Sequence, residues 1–137
     1  MTTIVVDFET YSPVDINAGS YKYADNIHTD IVMMAYKIET MPTLLWTPQN
    51  GRSCPEVFLE SDLTVYAHNA LFDYLIWHKV GSDKYGFPDI PLEQWVDTQG
   101  LANRYTFPGA LEKVGTVMGL DVQKDRRGKA LIKKICT

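Results

Sequence analysis

Asp7 and Glu9 stand one residue apart, straight after an apolar run, in the stretch IVVDFETYS from Ile4 to Ser12. Successive side chains of a strand point to opposite faces, so residues two apart share a face. Two ionised carboxylates on one face repel, and one takes up a proton unless a cation is present. Mg²⁺ or Mn²⁺ answers that need, because hard divalent ions want carboxylate oxygens. A third carboxylate comes from AHNALFD, Ala67 to Asp73. Asn69 fits a helix N-cap, and Asp73 lies one turn down the same side, with Phe72 facing the sheet. Taken singly, each acid has an ordinary reading: Asp7 as a cap, Glu9 solvated past a strand end, Asp73 on a solvated helix face. The pair makes those readings harder to hold.

The elements that must position these residues follow from apolar pattern and turn chemistry. Thr3–Val6 reads as a strand buried on both faces. Residues 10 to 30 read as an excursion, with Pro13 and Gly19. Asp30–Ile38 is a second strand and Thr43–Trp46 a third, bounded by Pro42 and Pro48. Asn50-Gly51 marks a turn, and Pro55–Ser61 has room for one or two helical turns. Leu63–Ala67 is a fourth strand. Ala70–Lys79 has apolar residues at helical spacing, and Gly81–Pro91 reads as a loop. Glu93–Asp97 is a short fifth strand. Thr98–Arg104 is a helix capped by Asp97 or Thr98. Pro108 opens a helix to about Met118, closed by Gly119, and Gly128–Ile135 is a further helical segment. Three closely linked strands predict an antiparallel meander, and the later strands need helical crossovers. The expected fold is an α/β mixed sheet flanked by helices. If strand four lies beside strand one, Asp73 meets Asp7 and Glu9.

Composition narrows the function. The chain has 137 residues and reads as one domain, 1–137, with 13 basic and 17 acidic residues and a net charge of −4. That balance excludes a broad basic surface gripping duplex DNA by charge. It leaves nucleic acid open as a substrate, because bound cations can bring the positive charge. Cys54 and Cys136 form no CxxC pair, so zinc is not expected and a reduced, cytosolic pair is. With no spanning apolar run and no signal region, a soluble cytoplasmic protein with no membrane partner is expected.

The same motifs, in this order, resemble the DEDD 3′–5′ exonucleases, whose fold is RNase H-like. More narrowly they resemble the exonuclease domain of phage and prophage family A DNA polymerases. The matching segments are DFETYS, the GSYKYA of Gly19–Ala24, AHNALFD, Trp95–Thr98, the Pro108 helix leading to Gly119-Leu120, and the GKALI of Gly128–Ile132. The resemblance covers essentially the whole chain. It implies a five-stranded mixed sheet and hydrolysis of the terminal phosphodiester at a DNA 3′ end by two metal ions, Mg²⁺ or Mn²⁺, roughly 4 Å apart. It gives Asp7, Glu9 and Asp73 as catalytic metal ligands. Thr10, Asn69 and Phe72 become substrate contacts, and Asp97 remains structural. The implied partners are a single-stranded or frayed 3′ end and a polymerase domain in the same gene.

The sequence also departs from the pattern. The family carries a fourth carboxylate in a late Tyr-x-x-x-Asp or His-x-x-x-Asp helix. Here Tyr11/Asp15, Tyr21/Asp25 and Tyr85/Asp89 all precede Trp95, and neither Asp121 nor Asp125 follows such a Tyr or His. The chain is therefore expected to be the front part of such a domain, with a slowed reaction and exposed apolar surface favouring self-association. The alternative is a non-catalytic nucleic-acid- or partner-binding remnant. Trp77, Trp95 and Phe107 read as packing residues. Tyr11, Tyr21 and Tyr23 are nearer the site and candidates for stacking on a terminal base. The basic run Lys124–Lys134 reads as a solvated helix face, with DNA phosphate a second possibility.

Overall fold

A computed structural model describes residues 1–50 and 53–120, together with Arg127, Leu131 and Lys134. Strand β1 (Thr2–Tyr11) is central. It pairs antiparallel with β2 (Asp30–Ile38), which pairs antiparallel with β3 (Leu44–Trp46). On its other side β1 pairs parallel with β4 (Leu63–Ala67), which pairs parallel with β5 (Trp95–Asp97). The order is β3-β2-β1-β4-β5, the five-stranded sheet of meander plus parallel strands that the sequence predicts.

β1 runs well past the expected Val6, so Asp7, Glu9 and Thr10 lie inside the strand rather than beyond it. Hydrogen bonding to β2 carries it that far, with pairs down to Tyr11↔Asp30. Its even residues Ile4, Val6 and Phe8 are buried, whereas Val5 on the other face is 48% exposed. The expectation of burial on both faces is corrected: the helical segment directly after β4 packs on the even face, with Phe8 against Trp77. The β1–β2 register shifts between Glu9 and Thr10. A bulge there steepens the local twist at the place where the carboxylates leave the sheet.

The excursion after β1 contains one turn of 3₁₀ helix (Ile16–Ala18) and the short helix α1 (Ser20–Asp25). Another 3₁₀ turn, Glu56–Leu59, falls where one or two turns are expected. Helix α2 (Ala70–Leu75) passes into a π-helical segment, Ile76–Gly81, and on into α3 (Ser82–Tyr85). The helix thus outruns the expected Lys79 and takes in Gly81, because the wider π turns carry Trp77 fully into the core. Trp77 is 0% exposed. Its ring centroid lies 4.6 Å from Phe87, 4.8 Å from Phe58, 6.0 Å from Trp95 and 6.3 Å from Phe8. All three tryptophan N–H groups donate to loop carbonyls: Trp46 to Ser53, Trp77 to Pro88 and Trp95 to Ile90. The core thereby pins the loops around it.

Trp95 is buried, as its packing role requires. Helix α4 (Thr98–Arg104) begins as expected on Asp97, whose side chain accepts the Gln99 N–H. Helix α5 (Leu111–Val117) starts three residues later than Pro108 indicates, since residues 107 to 110 run as a non-helical connection. Gly119 then adopts the left-handed φ of 65° expected of a closing glycine. The Gly51 half of the turn, Cys136, Asp121, Asp125, most of the basic run and all of the Gly128–Ile135 segment but Leu131 and Lys134 lie outside the described residues. Cys54 is free and half-buried, and burial pushes its thiol up to about 12. No helix among the described residues is long and apolar enough to cross a membrane.

Gly81 is a glycine for room, not for conformation. A Cβ there would lie 2.5 Å from Phe87 Cδ2. Gly81→Ala is expected to destabilise the fold by about 1–3 kcal/mol, the usual result of overpacking. Urea denaturation checks it, and an unchanged midpoint contradicts the packing described.

Candidate active site

The parallel pairing of β1 and β4 brings the start of α2 over the end of β1. Asp73, one turn into α2, is 4% exposed. Its Oδ1 accepts the N–H of Phe8 at 3.4 Å, from the peptide that joins Asp7 to Phe8. The third carboxylate is therefore set against the strand that carries the other two. Asp7 is exposed and Glu9 half-buried, both on the β1 face opposite the core.

Burial pushes the Asp73 carboxyl up to about 8 from its usual 3.8, and the Asp7 charge pushes the same way. The Phe8 N–H opposes that shift, and Asp97 adds to it from further off. Without a cation the buried acid keeps its proton through neutral pH. Among the described residues, no group of three or more His, Cys, Asp or Glu side chains is gathered so as to hold a metal ion. The donor set nonetheless suits a hard cation: every donor is a carboxylate oxygen, and the buried one is protonated partly because of its anionic neighbour.

Asn69 stands at the N-cap position but does not cap with its side chain. It turns the chain by a left-handed backbone, φ 65° and ψ 60°, which asparagine tolerates better than most residues. The Asn69 side-chain cap expected from the sequence is thereby corrected. The Asn69 N–H donates to Asp97 Oδ1 at 2.9 Å, and the same oxygen accepts the Gln99 N–H at 3.0 Å. Asp97 thus ties the β4–α2 turn to the β5–α4 turn, a structural role.

Thr10 is buried, with its hydroxyl 2.7 Å from that of Tyr23. Phe72 is half-buried, its ring 5.6 Å from Tyr23. Tyr23 is itself buried. This corrects its candidacy as a stacking platform: both its ring and its hydroxyl are spent on Phe72 and Thr10. Tyr11 and Tyr21 are exposed. Phe107, expected to pack, is 37% exposed. His68, Gln99 and Gly109 form a further polar network beside the site. Only the position of His68 next to Asn69 could have signalled it.

No protein-family model matches the chain. The DNA polymerase of Bacillus phage SP02 is 31% identical over 138 residues, which covers 97% of this chain. The chain is related to a phage DNA polymerase. It spans 20% of that polymerase's length. Among solved structures, NrnC of Brucella melitensis bound to pGG shares the fold with a TM-score of 0.57 at 15% identity, covering 90% of this chain and 55% of that one. NrnC of Brucella melitensis with bound Mg²⁺ gives a TM-score of 0.56 at 13% identity, covering 97% and 72%. The resemblance carried by DFETYS, AHNALFD and Trp95–Thr98 thus meets a polymerase relative over nearly the whole chain, on a fold shared with NrnC.

Asp73 generates a pH prediction for the metal-free protein. The unfolded chain releases this proton near pH 3.8, and the folded chain holds it to about 8. Stability from this residue is therefore present in acid and lost as pH rises across that window. Asp73→Asn keeps an oxygen for the Phe8 N–H but cannot ionise. In EDTA the variant is expected to melt above the wild type at pH 8 and level with it near pH 4. Mg²⁺ or Mn²⁺ should raise the wild-type melting temperature at pH 8 and leave the variant unmoved. Thermal melts at the two pH values check this.

Proposed function

We propose that this chain is a metal-dependent 3′–5′ exonuclease module of a DNA polymerase, acting on a single-stranded or frayed 3′ end. The observation that supports this reading best is the buried Asp73 carboxyl on the Asp7–Phe8 peptide, beside the Asp7–Glu9 face. Burying an acid there is costly even with the Phe8 N–H on it, and such perturbed acids concentrate at functional sites. The phage polymerase relative and the fold shared with a Mg²⁺-bound NrnC support it too.

In this reading Asp7, Glu9 and Asp73 hold Mg²⁺ or Mn²⁺, two ions in the complete site. The bound metal supplies an activated water and charge stabilisation for the leaving 3′ oxygen. Asp7, exposed on the strand, would hold the cation that faces the scissile phosphate, with Glu9 two residues along the same face. Asp73 stays dry behind them, aimed by the Phe8 N–H. The Asn69 side chain stands exposed at the turn above, free to meet the substrate end. Thr10 and Phe72 act through Tyr23, shaping the floor on which that end rests.

The second reading is a non-catalytic nucleic-acid-binding remnant. Among the described residues no three acidic, His or Cys side chains are gathered to hold a metal ion, which favours it. Degradation of a 3′-labelled single-stranded oligonucleotide in Mn²⁺ separates the two. The exonuclease reading expects shortening from the labelled end, abolished by EDTA and reduced at least about 10²-fold by Asp7→Ala, since loss of a metal ligand removes more than one acid–base contribution. Binding without shortening leaves the remnant reading standing.

A further inference from the structure

The turn between β4 and α2 holds a polar network that the carboxylates do not use. His68 Nε2 lies 2.6 Å from the Gly109 carbonyl oxygen. A carbonyl only accepts, so this nitrogen carries the hydrogen and donates it. The other ring nitrogen, Nδ1, lies 2.9 Å from the Thr98 hydroxyl, whose one hydrogen is also within reach of the Ala67 carbonyl at 3.3 Å. Gln99 Nε2 gives the Gly109 carbonyl a second hydrogen at 3.0 Å. One carbonyl in the α4–α5 connection is thus held by side chains from two strand-to-helix turns. Both turns adjoin the site: Asn69 follows His68, and Asp97 binds the N–H groups of Asn69 and Gln99.

The connection is stiff. The Phe107 N–H donates to the Ala102 carbonyl at 2.8 Å and the Thr106 N–H to the Asn103 carbonyl at 3.0 Å. Thr106 is held at φ 63°, a costly conformation for a β-branched residue. Gly109 is closely packed, since a Cβ there would lie 3.2 Å from Asn103 Oδ1. This rigid segment turns aromatic rings to solvent, with Tyr105 69% exposed and Phe107 37%. Exposed rings on a fixed loop are how single-strand binders hold bases without reading sequence. With a net charge of −4 the chain has no broad basic surface to attract phosphate, so stacking is a needed source of affinity besides bound cations.

Resting on the nuclease reading, we propose that His68 is a positioning residue: with Gln99 it clamps the Gly109 carbonyl, so that the Tyr105–Phe107 segment forms a fixed stacking wall for the bases of a single-stranded nucleic-acid end. His68 does not touch the substrate. It acts through the loop.

The test is fluorescence anisotropy with a labelled single-stranded oligonucleotide whose 3′-terminal linkages are phosphorothioates, which read binding apart from turnover. His68→Ala is expected to weaken binding about tenfold, the loss of roughly one stacked base. His68→Gln, whose amide nitrogen falls near the lost Nε2, should bind within about twofold of wild type, and the loss in His68→Ala, Gln99→Ala should be less than additive because both donors serve one acceptor. In hydrolysis the His68→Ala loss should appear in KM rather than kcat. Wild-type binding by His68→Ala, no rescue by glutamine, or a loss confined to kcat overturns the clamp. If His68→Ala does not fold, the exposed-ring variants Tyr105→Ala and Phe107→Ala decide, and unchanged binding by both overturns the stacking wall. A wild-type chain that binds but never hydrolyses overturns the nuclease reading alone, and the His68 variants still decide the clamp. A wild-type chain that binds no oligonucleotide overturns both.

Discussion

A carboxylic acid buried against a backbone amide organises this protein. Asp73 lies inside the joint between β1 and α2, where its Oδ1 accepts the Phe8 N–H. An apolar side chain of similar size would settle there at less cost, because a buried acid must either keep its proton or meet a cation. The arrangement makes sense if the cation is what the joint is for. It also requires α2 to sit where it does, since a slide along β1 would strip the acid of its amide and leave it buried alone.

The aromatic core resists that slide. Trp77 lies in the π-helical segment that continues α2 and is wedged among Phe8, Phe58, Phe87 and Trp95. Phe8 is both a core ring and the residue whose N–H holds Asp73. Packing and site geometry are therefore fixed by the same short stretch of β1, and disturbing one disturbs the other. The tryptophan N–H groups extend this order outward by holding the loops at Ser53, Pro88 and Ile90.

Around the joint, two turns are locked to each other. β1, β4 and β5 run parallel, so their carboxyl ends lie on one side of the sheet, where open α/β sheets place their ligands. Asp97 binds the backbone of both following turns through one oxygen. His68 and Gln99 then draw in the α4–α5 connection. Three loops are bound to one another at this corner by side-chain hydrogen bonds, and the α4–α5 connection carries the exposed Tyr105 and Phe107.

Most of the strands were legible because local pattern carries them, whereas the place of strand four beside strand one was only a condition. Asp30–Ile38 and Leu63–Ala67 are bounded in the structure as their apolar runs and turn residues indicate. The shared face of Asp7 and Glu9 follows from strand alternation, and the Asp97 cap from its place before Thr98. Other features depend on contacts remote in sequence. The extension of β1 to Tyr11 rests on pairing with β2, and the π turns rest on where Trp77 must point. Tyr23 and Tyr21 are two residues apart, yet one is buried under Phe72 and the other exposed. The sequence by itself determined which residues could do chemistry and on which elements they ride, because period and capping are local. Only the tertiary structure decided that Asp73 is buried on the Phe8 amide, that Asn69 turns by its backbone, and that His68 reaches Gly109, because each is a meeting of segments whose separation no local pattern encodes.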